Sequence, residues 1–131
     1  MKTGFTGIAI VCIALGAAGC TRTANIYNVK EATVSNANGK ALAKAQVRAA
    51  IITAGTSMGW AIVDAGPGKL EGTLRLRTHT AVVEIPYSER AYSVIYKSSE
   101  NLQASGDTIH NNYNGWVQNL DRAIRTEIAR I

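Results

Sequence analysis

The sequence predicts an α+β domain in which two helices pack on one face of an antiparallel, four- to five-stranded meander sheet. Three observations carry this. The alanine-rich stretch from Lys40 to Met58 and a second stretch from Gly115 to about Arg130 repeat apolar residues at helical spacing, and between them lie four stretches of strand character joined by short turn signals. Connections this short favour antiparallel neighbours, and laying both helices on one side of the sheet buries every apolar face at once.

The first element in chain order is not part of the fold. Met1-Lys2-Thr3 carries one positive charge, and Phe5 through Leu15 is an uncharged apolar run. A bilayer span takes about 20 such residues, so the run reads as a secretory signal. It ends in Leu15-Gly16-Ala17-Ala18-Gly19-Cys20, after which Thr21-Arg22-Thr23 turns the chain polar. This resembles the bacterial lipobox. The resemblance implies cleavage between Gly19 and Cys20, a diacylglycerol on the Cys20 thiol and an acyl chain on the new amine. Three chains make a firm anchor, since each buried methylene contributes roughly 0.8 kcal/mol and one chain alone binds marginally. Lipoproteins with this motif are retained in the inner membrane by an aspartate after the cysteine; Thr21 stands there, which implies the outer membrane. Ala17 departs from the leucine commonest at its position, and Ala17-Ala18-Gly19 also fits an ordinary secretory cleavage site, so a secreted, unlipidated protein stays open as an alternative.

The expected organisation is therefore a signal over residues 1–19, a lipidated N-terminus and tether over 20–25, and one domain over 26–131. Cys12 falls in the signal and Cys20 is the anchor, which leaves no cysteine for a disulfide or a thiolate metal site. Without Lys2, 13 basic residues remain against 9 acidic ones, a formal charge of +4 on the mature chain. That surplus suits anionic partners such as phospholipid headgroups or an envelope polymer, and equally an ordinary soluble surface.

Within the domain, Ile26 to Val29 and Ala32 to Val34 read as a first short strand, and Asn36-Ala37-Asn38-Gly39 as a turn with Asn38 as helix N-cap. In the first helix Leu42, Val47, Ala50, Ile51, Ala54 and Met58 fall near one face, opposite Lys40, Lys44 and Arg48; Gly59 supplies the stop, with Gly55 as an earlier candidate. Trp60 to Asp64 is the next strand, and Ala65-Gly66-Pro67-Gly68 the turn after it. Leu70, Gly72, Leu74 and Leu76 then alternate with Glu71, Thr73, Arg75 and Arg77, as do Ala81, Val83, Ile85 and Tyr87 with Thr80, Val82, Glu84 and Pro86. Pro86 lacks a ladder donor and marks an edge or a strand end. Ala91 to Ser98 is the last expected strand, a polar loop runs from Ser99 through Asn112, and Asn114 is the expected cap of the second helix.

Candidate chemistry is sparse. Two histidines, three aspartates and six glutamates are scattered, with no sequence cluster that defines a catalytic or metal site. Lys69, Arg75, Arg77 and Lys97 point to an anion-binding outer face of the sheet, against which Glu71 and Glu84 supply ordinary cross-strand pairing. Asn111, Asn112, Tyr113 and Asn114 form a candidate partner loop, or a lock that pins the loop to the core through Tyr113 and Trp116. His110 and His79 are the only candidates for a general base. Gly66-Pro67-Gly68-Lys69 lacks the phosphate-loop spacing, and the aromatic residues are not interleaved with basic ones as nucleic-acid stacking requires.

The lipobox, the Gly59-Trp60 step, Tyr92 to Ser98, and Asn112-Tyr113-Asn114 followed by Trp116-Val117 and Asn119-Leu120 together resemble a family of small proteobacterial lipoproteins. The resemblance implies an envelope location and a compact α+β fold, and it brings no catalytic residues with it. The expectation is a non-catalytic, membrane-anchored binding or interaction module without cofactor, metal or nucleic acid. Its partner is expected to be an envelope protein or an anionic polymer. An envelope hydrolase built on His110 or His79, and an assembly subunit that pairs through a sheet edge, are the competing readings.

Overall fold

A computed structural model describes residues 22–131. The signal, Gly19 and Cys20 lie outside the described residues. In chain order the elements are β1 (Thr23–Asn25), β2 (Val29–Thr33), α1 (Lys44–Ser57), β3 (Ala61–Asp64), β4 (Lys69–Leu76), β5 (His79–Pro86), β6 (Ala91–Glu100), β7 (Thr108–His110) and α2 (Asn111–Ala129). The main sheet is antiparallel in the order β2-β6-β5-β4-β3, a four-strand meander with β2 added beside β6, and β1 pairs separately with β7. The α+β fold is as the periodicity predicts. Inward residues of the sheet, among them Leu70, Leu74, Ala81, Val83, Ile85, Tyr92 and Val94, form one buried cluster with Val47 and Ile51 of α1 and Val117, Leu120 and Ile124 of α2.

Several boundaries differ from expectation, each for a local reason. Thr23–Asn25, expected as tether, is β1, in register with β7 from Thr23↔His110 to Asn25↔Thr108. Three-residue strands carry too little periodicity to show in sequence, and β7 lies in what reads as a polar loop. The strand expected from Ile26 is β2, which begins at Val29 and bulges at Glu31, whose φ is +49°. There the buried Ser93 hydroxyl accepts the Glu31 N–H at 2.9 Å, replacing a lost ladder partner. Helix α1 begins at Lys44, not Lys40, and Asn38 does not cap it. Its N-cap is Ala43, whose N–H donates to Gln46 Oε1 at 2.9 Å; alanine returns no side-chain bond, so half of a capping box forms.

The C-terminus of α1 follows the sequence closely. Gly59 has φ +86°, Trp60 N donates to Gly55 O at 2.9 Å and Gly59 N to Thr56 O at 3.1 Å, the two bonds of a Schellman motif. Gly55 stays inside the helix, where a Cβ would collide with the Ile62 side chain; its value is close approach to β3. Met58, expected on the buried stripe, is 44% exposed at the helix end. Pro86 is the last residue of β5, opposite Lys69, where its missing N–H breaks no ladder.

Candidate functional site

The second helix does not start where its sequence suggests. Asn114 lies within α2, and the cap is His110, whose Nδ1 accepts the Asn112 N–H at 3.1 Å. Asn114 does something else. Its Oδ1 accepts the Tyr27 N–H at 2.9 Å and its Nδ2 donates to Asn25 O at 2.8 Å, so one amide seizes both polarities of the backbone just after β1. Asn111 N adds a bond to Arg22 O at 2.7 Å. Together these bonds hold the N-terminal entry of the domain against the first turn of α2.

Tyr113, expected either to pin the loop to the core or to face a partner, is completely buried and packs edge-on against Tyr96 at 5.5 Å between ring centres. Burial pushes its phenol well above the usual tyrosine range. The locking role weighed for this segment is the one the geometry fits, because only exposed Asn111 and Asn112 face outward.

Beside these two asparagines lies a polar cleft of about 530 Å³. It brings together Arg22, His79, His110 and the Asn101–Gln103 segment, none of which the sequence places side by side. His79 sits at the first position of β5 and shares a 2.6 Å hydrogen bond through Nδ1 with the Asn101 carbonyl. A carbonyl only accepts, so His79 Nδ1 is the donor and, in the neutral ring, Nε2 carries the lone pair. His110 is the reverse: its Nδ1 accepts from Asn112, which leaves the proton on Nε2. The two imidazoles of one cleft thus differ in tautomer. Asn101 and Gln103 hold φ of +57° and +54° on either side of buried Leu102, and Asn101 Nδ2 donates to Thr78 Oγ1 at 2.8 Å.

No Asp or Glu lines this cleft, and neither histidine is hydrogen-bonded to a carboxylate among the described residues. Nor does any group of three His, Cys, Asp or Glu side chains among them offer a metal site. The cleft lining offers hydrogen-bonding groups and one permanent cation, Arg22.

The candidate anion-binding face divides in two. Lys97, the extra residue of a β6 bulge between the Val82↔Ser98 and Val83↔Tyr96 pairs, reaches Glu71 at 2.7 Å and Glu84 at 3.9 Å. Lys69 stands 3.7 Å from Glu84, so two lysines and two glutamates neutralise one another in the middle of the sheet. The hydrogen bond it donates to Glu71 holds the Lys97 ammonium above its usual range. Arg75 and Arg77 have no carboxylate within 4.0 Å among the described residues. Arg77 is moreover not on the strand face: with φ +57° it occupies the two-residue turn between Leu76 and His79, whose tight reversal takes a residue out of the alternation.

A second polar group is interior. Tyr92 Oη donates to Asp121, and Arg125 Nε donates to the other Asp121 oxygen at 3.0 Å, joining β6 to α2 beneath the sheet. Burial first, then the Asp121 hydrogen bond, push the Tyr92 phenol far up. The Tyr92 hydroxyl and the Asp121 carboxylate are buried and satisfied, and Arg125 reaches Asp121 from the solvent side.

Sequence reasoning named His79 and His110 separately and missed Arg22, Asn101 and Gln103. Arg22 had one usable signal: it is the first charged residue after Cys20. No family model, no curated protein and no solved structure matches the chain.

Proposed function

We propose that the chain is an envelope lipoprotein, cleaved before Cys20, lipidated there and held at the outer membrane, whose folded part is a non-catalytic binding module for an envelope protein or an anionic envelope polymer. The observation that carries this reading is the lipobox-like run Leu15 to Cys20 standing directly before a domain whose first strand begins at Thr23. A cleft lined by Arg22, Asn101, Gln103, Asn111 and Asn112 supports a binding role. Among the described residues no helix is long and apolar enough to cross a membrane, so attachment in this reading rests on the lipid.

Intact mass of the membrane-extracted protein, beside a Cys20→Ser variant with cell fractions recorded, tests it. A chain that starts at Cys20 with a diacylglycerol-sized or larger adduct, lost from the membrane in the variant, is the expected result. An unmodified chain outside the cytoplasm makes it a secreted protein with a free thiol.

One observation favours a second reading, a hydrolase: His79 and His110 share a cleft and offer one accepting and one donating Nε2. Purified wild type that hydrolyses an ester or phosphoester panel, with the activity lost in both His79→Gln and His110→Gln, is the result that would replace the binding module by an enzyme.

A further inference from the structure

We infer that the end of the domain carrying the α2 N-terminus and the β4–β5 hairpin tip docks on the anionic headgroups of the bilayer that holds the Cys20 anchor. The contact is made by Arg22 and the tip Arg75-Leu76-Arg77. This rests on the lipoprotein reading and adds to it an orientation and a second membrane contact.

Covalent reach comes first. Only Thr21 stands between Cys20 and Arg22, and an extended chain covers at most about 7 Å over those two steps. There is no slack beyond Arg22, because its carbonyl is bonded to Asn111 N at 2.7 Å and Thr23 is already in register with His110. The anchor therefore draws this end, and not another, onto the interface. The opposite end, where Ser88–Arg90 turn β5 into β6, lies the full length of β5 away, about 24 Å.

Surface chemistry at the drawn end matches what it would meet. Arg22, Arg75 and Arg77 are all exposed, and no acidic residue occupies the first turn of α2, so the positive end of the helix dipole adds to them. Glu100, in register with Thr80, is the carboxylate of the sheet at this end and offsets one charge. Between the two tip arginines stands Leu76. It continues the inward row Leu70, Gly72, Leu74, yet it is 47% exposed, where Leu74 is 7%. An exposed leucine bracketed by arginines is the pattern of an interfacial contact, apolar side chain into the headgroup boundary and cations on the phosphates. The tip is also braced to the cleft, through Thr78 to Asn101 and His79 to the Asn101 carbonyl.

The test uses the acylated mature protein in vesicles of phosphatidylcholine with about one-third phosphatidylglycerol, after its intact mass has confirmed the lipid. Cys20 is blocked by its lipid in that form, so a single introduced cysteine is the one free thiol. A fluorophore on Thr78→Cys is expected to be quenched strongly by a headgroup-level lipid quencher, and one on Glu89→Cys only weakly. Equal quenching, or the reverse order, overturns the proposal. Arg75→Gln with Arg77→Gln, and Leu76→Ser alone, are expected to weaken the quenching at Thr78→Cys while circular dichroism stays unchanged; quenching unaltered in both overturns the role given to the tip. Should the mass show no lipid, the anchor reading fails, and sedimentation of that unacylated protein with the same vesicles decides the tip by itself. Binding that falls about fivefold per arginine removed supports it, and no binding above that to phosphatidylcholine alone overturns it.

Discussion

In the middle of the domain, polar side chains close on one another: Tyr92 on Asp121, Asp121 on Arg125, Lys97 and Lys69 on Glu71 and Glu84. At the α2 N-terminal end, Asn101 on Thr78 apart, they do not. His79 and His110 are bonded to backbone groups, and Arg22, Arg75 and Arg77 meet no carboxylate among the described residues. The difference separates polar groups that hold the fold from polar groups left available to a partner. It also makes a measurable division: changes in the middle should act on stability, and changes at the end on binding.

The largest expected effect lies in the interior. Asp121→Ala leaves the buried Tyr92 hydroxyl without an acceptor and frees Arg125, which should cost about 2–3 kcal/mol in chemical denaturation. Vesicle binding at the other region should not change. A variant that keeps full stability would show that this interior group is not a structural clamp, and the comparison would lose its first half.

Alkaline titration sharpens the same point. The folded state holds the Tyr92 proton more tightly than the unfolded chain does, because burial and the Asp121 hydrogen bond raise its pKa. Stability from this source is complete below the unfolded value, about pH 10, and declines as pH rises from there, by about 1.4 kcal/mol per pH unit for one group. Tyr113, raised by burial, adds a parallel decline. Tyr92→Phe should flatten the slope of unfolding free energy against pH above about 10; an unchanged slope would remove Tyr92 as its source.

Asn114 tests the boundary between the two regions, since it lies at the available end but is fully engaged with backbone. Asn114→Ala loses the bonds to Tyr27 N and Asn25 O and should cost about 1–1.5 kcal/mol. Hydrogen exchange should locate the loss at Thr23–Asn25, with the main sheet unaffected. Uniformly faster exchange would mean that β1 and β7 belong to the cooperative core.

What was legible in the sequence follows the same division. Alternation in β4 and β5 and the stop at Gly59 are repeated or stereochemically forced signals, and the structure reproduces them. The α2 stripe Val117, Leu120, Ile124 and Ile128 is equally regular, yet the helix start is off by four residues. Asn114 is a good cap by type, but its side chain is taken by the chain segment after β1, and His110 caps in its place. The cleft was illegible because it depends on non-local pairing. His79 and Asn101 come together only through the register of β5 with β6, and Arg22 joins them only through β1 on β7. Lys97 shows the same limit: a one-residue bulge, silent in the sequence, turns it toward Glu71.

The smallest expected effect is the most discriminating, because it asks whether charge alone or the place of the charge governs membrane contact. Lys97→Gln and Arg77→Gln remove the same single charge from the same sheet. Lys97 already faces Glu71 and Glu84, so its removal should leave binding of the unacylated chain to anionic vesicles nearly unaltered. Arg77 stands at the turn with no acid beside it, so its removal should weaken binding of the unacylated chain to anionic vesicles about fivefold. Equal losses in the two variants would mean that the vesicles respond to net charge and that the hairpin tip is an ordinary surface; loss confined to Arg77→Gln would show that position, set by a two-residue turn, decides which arginine reaches the lipid.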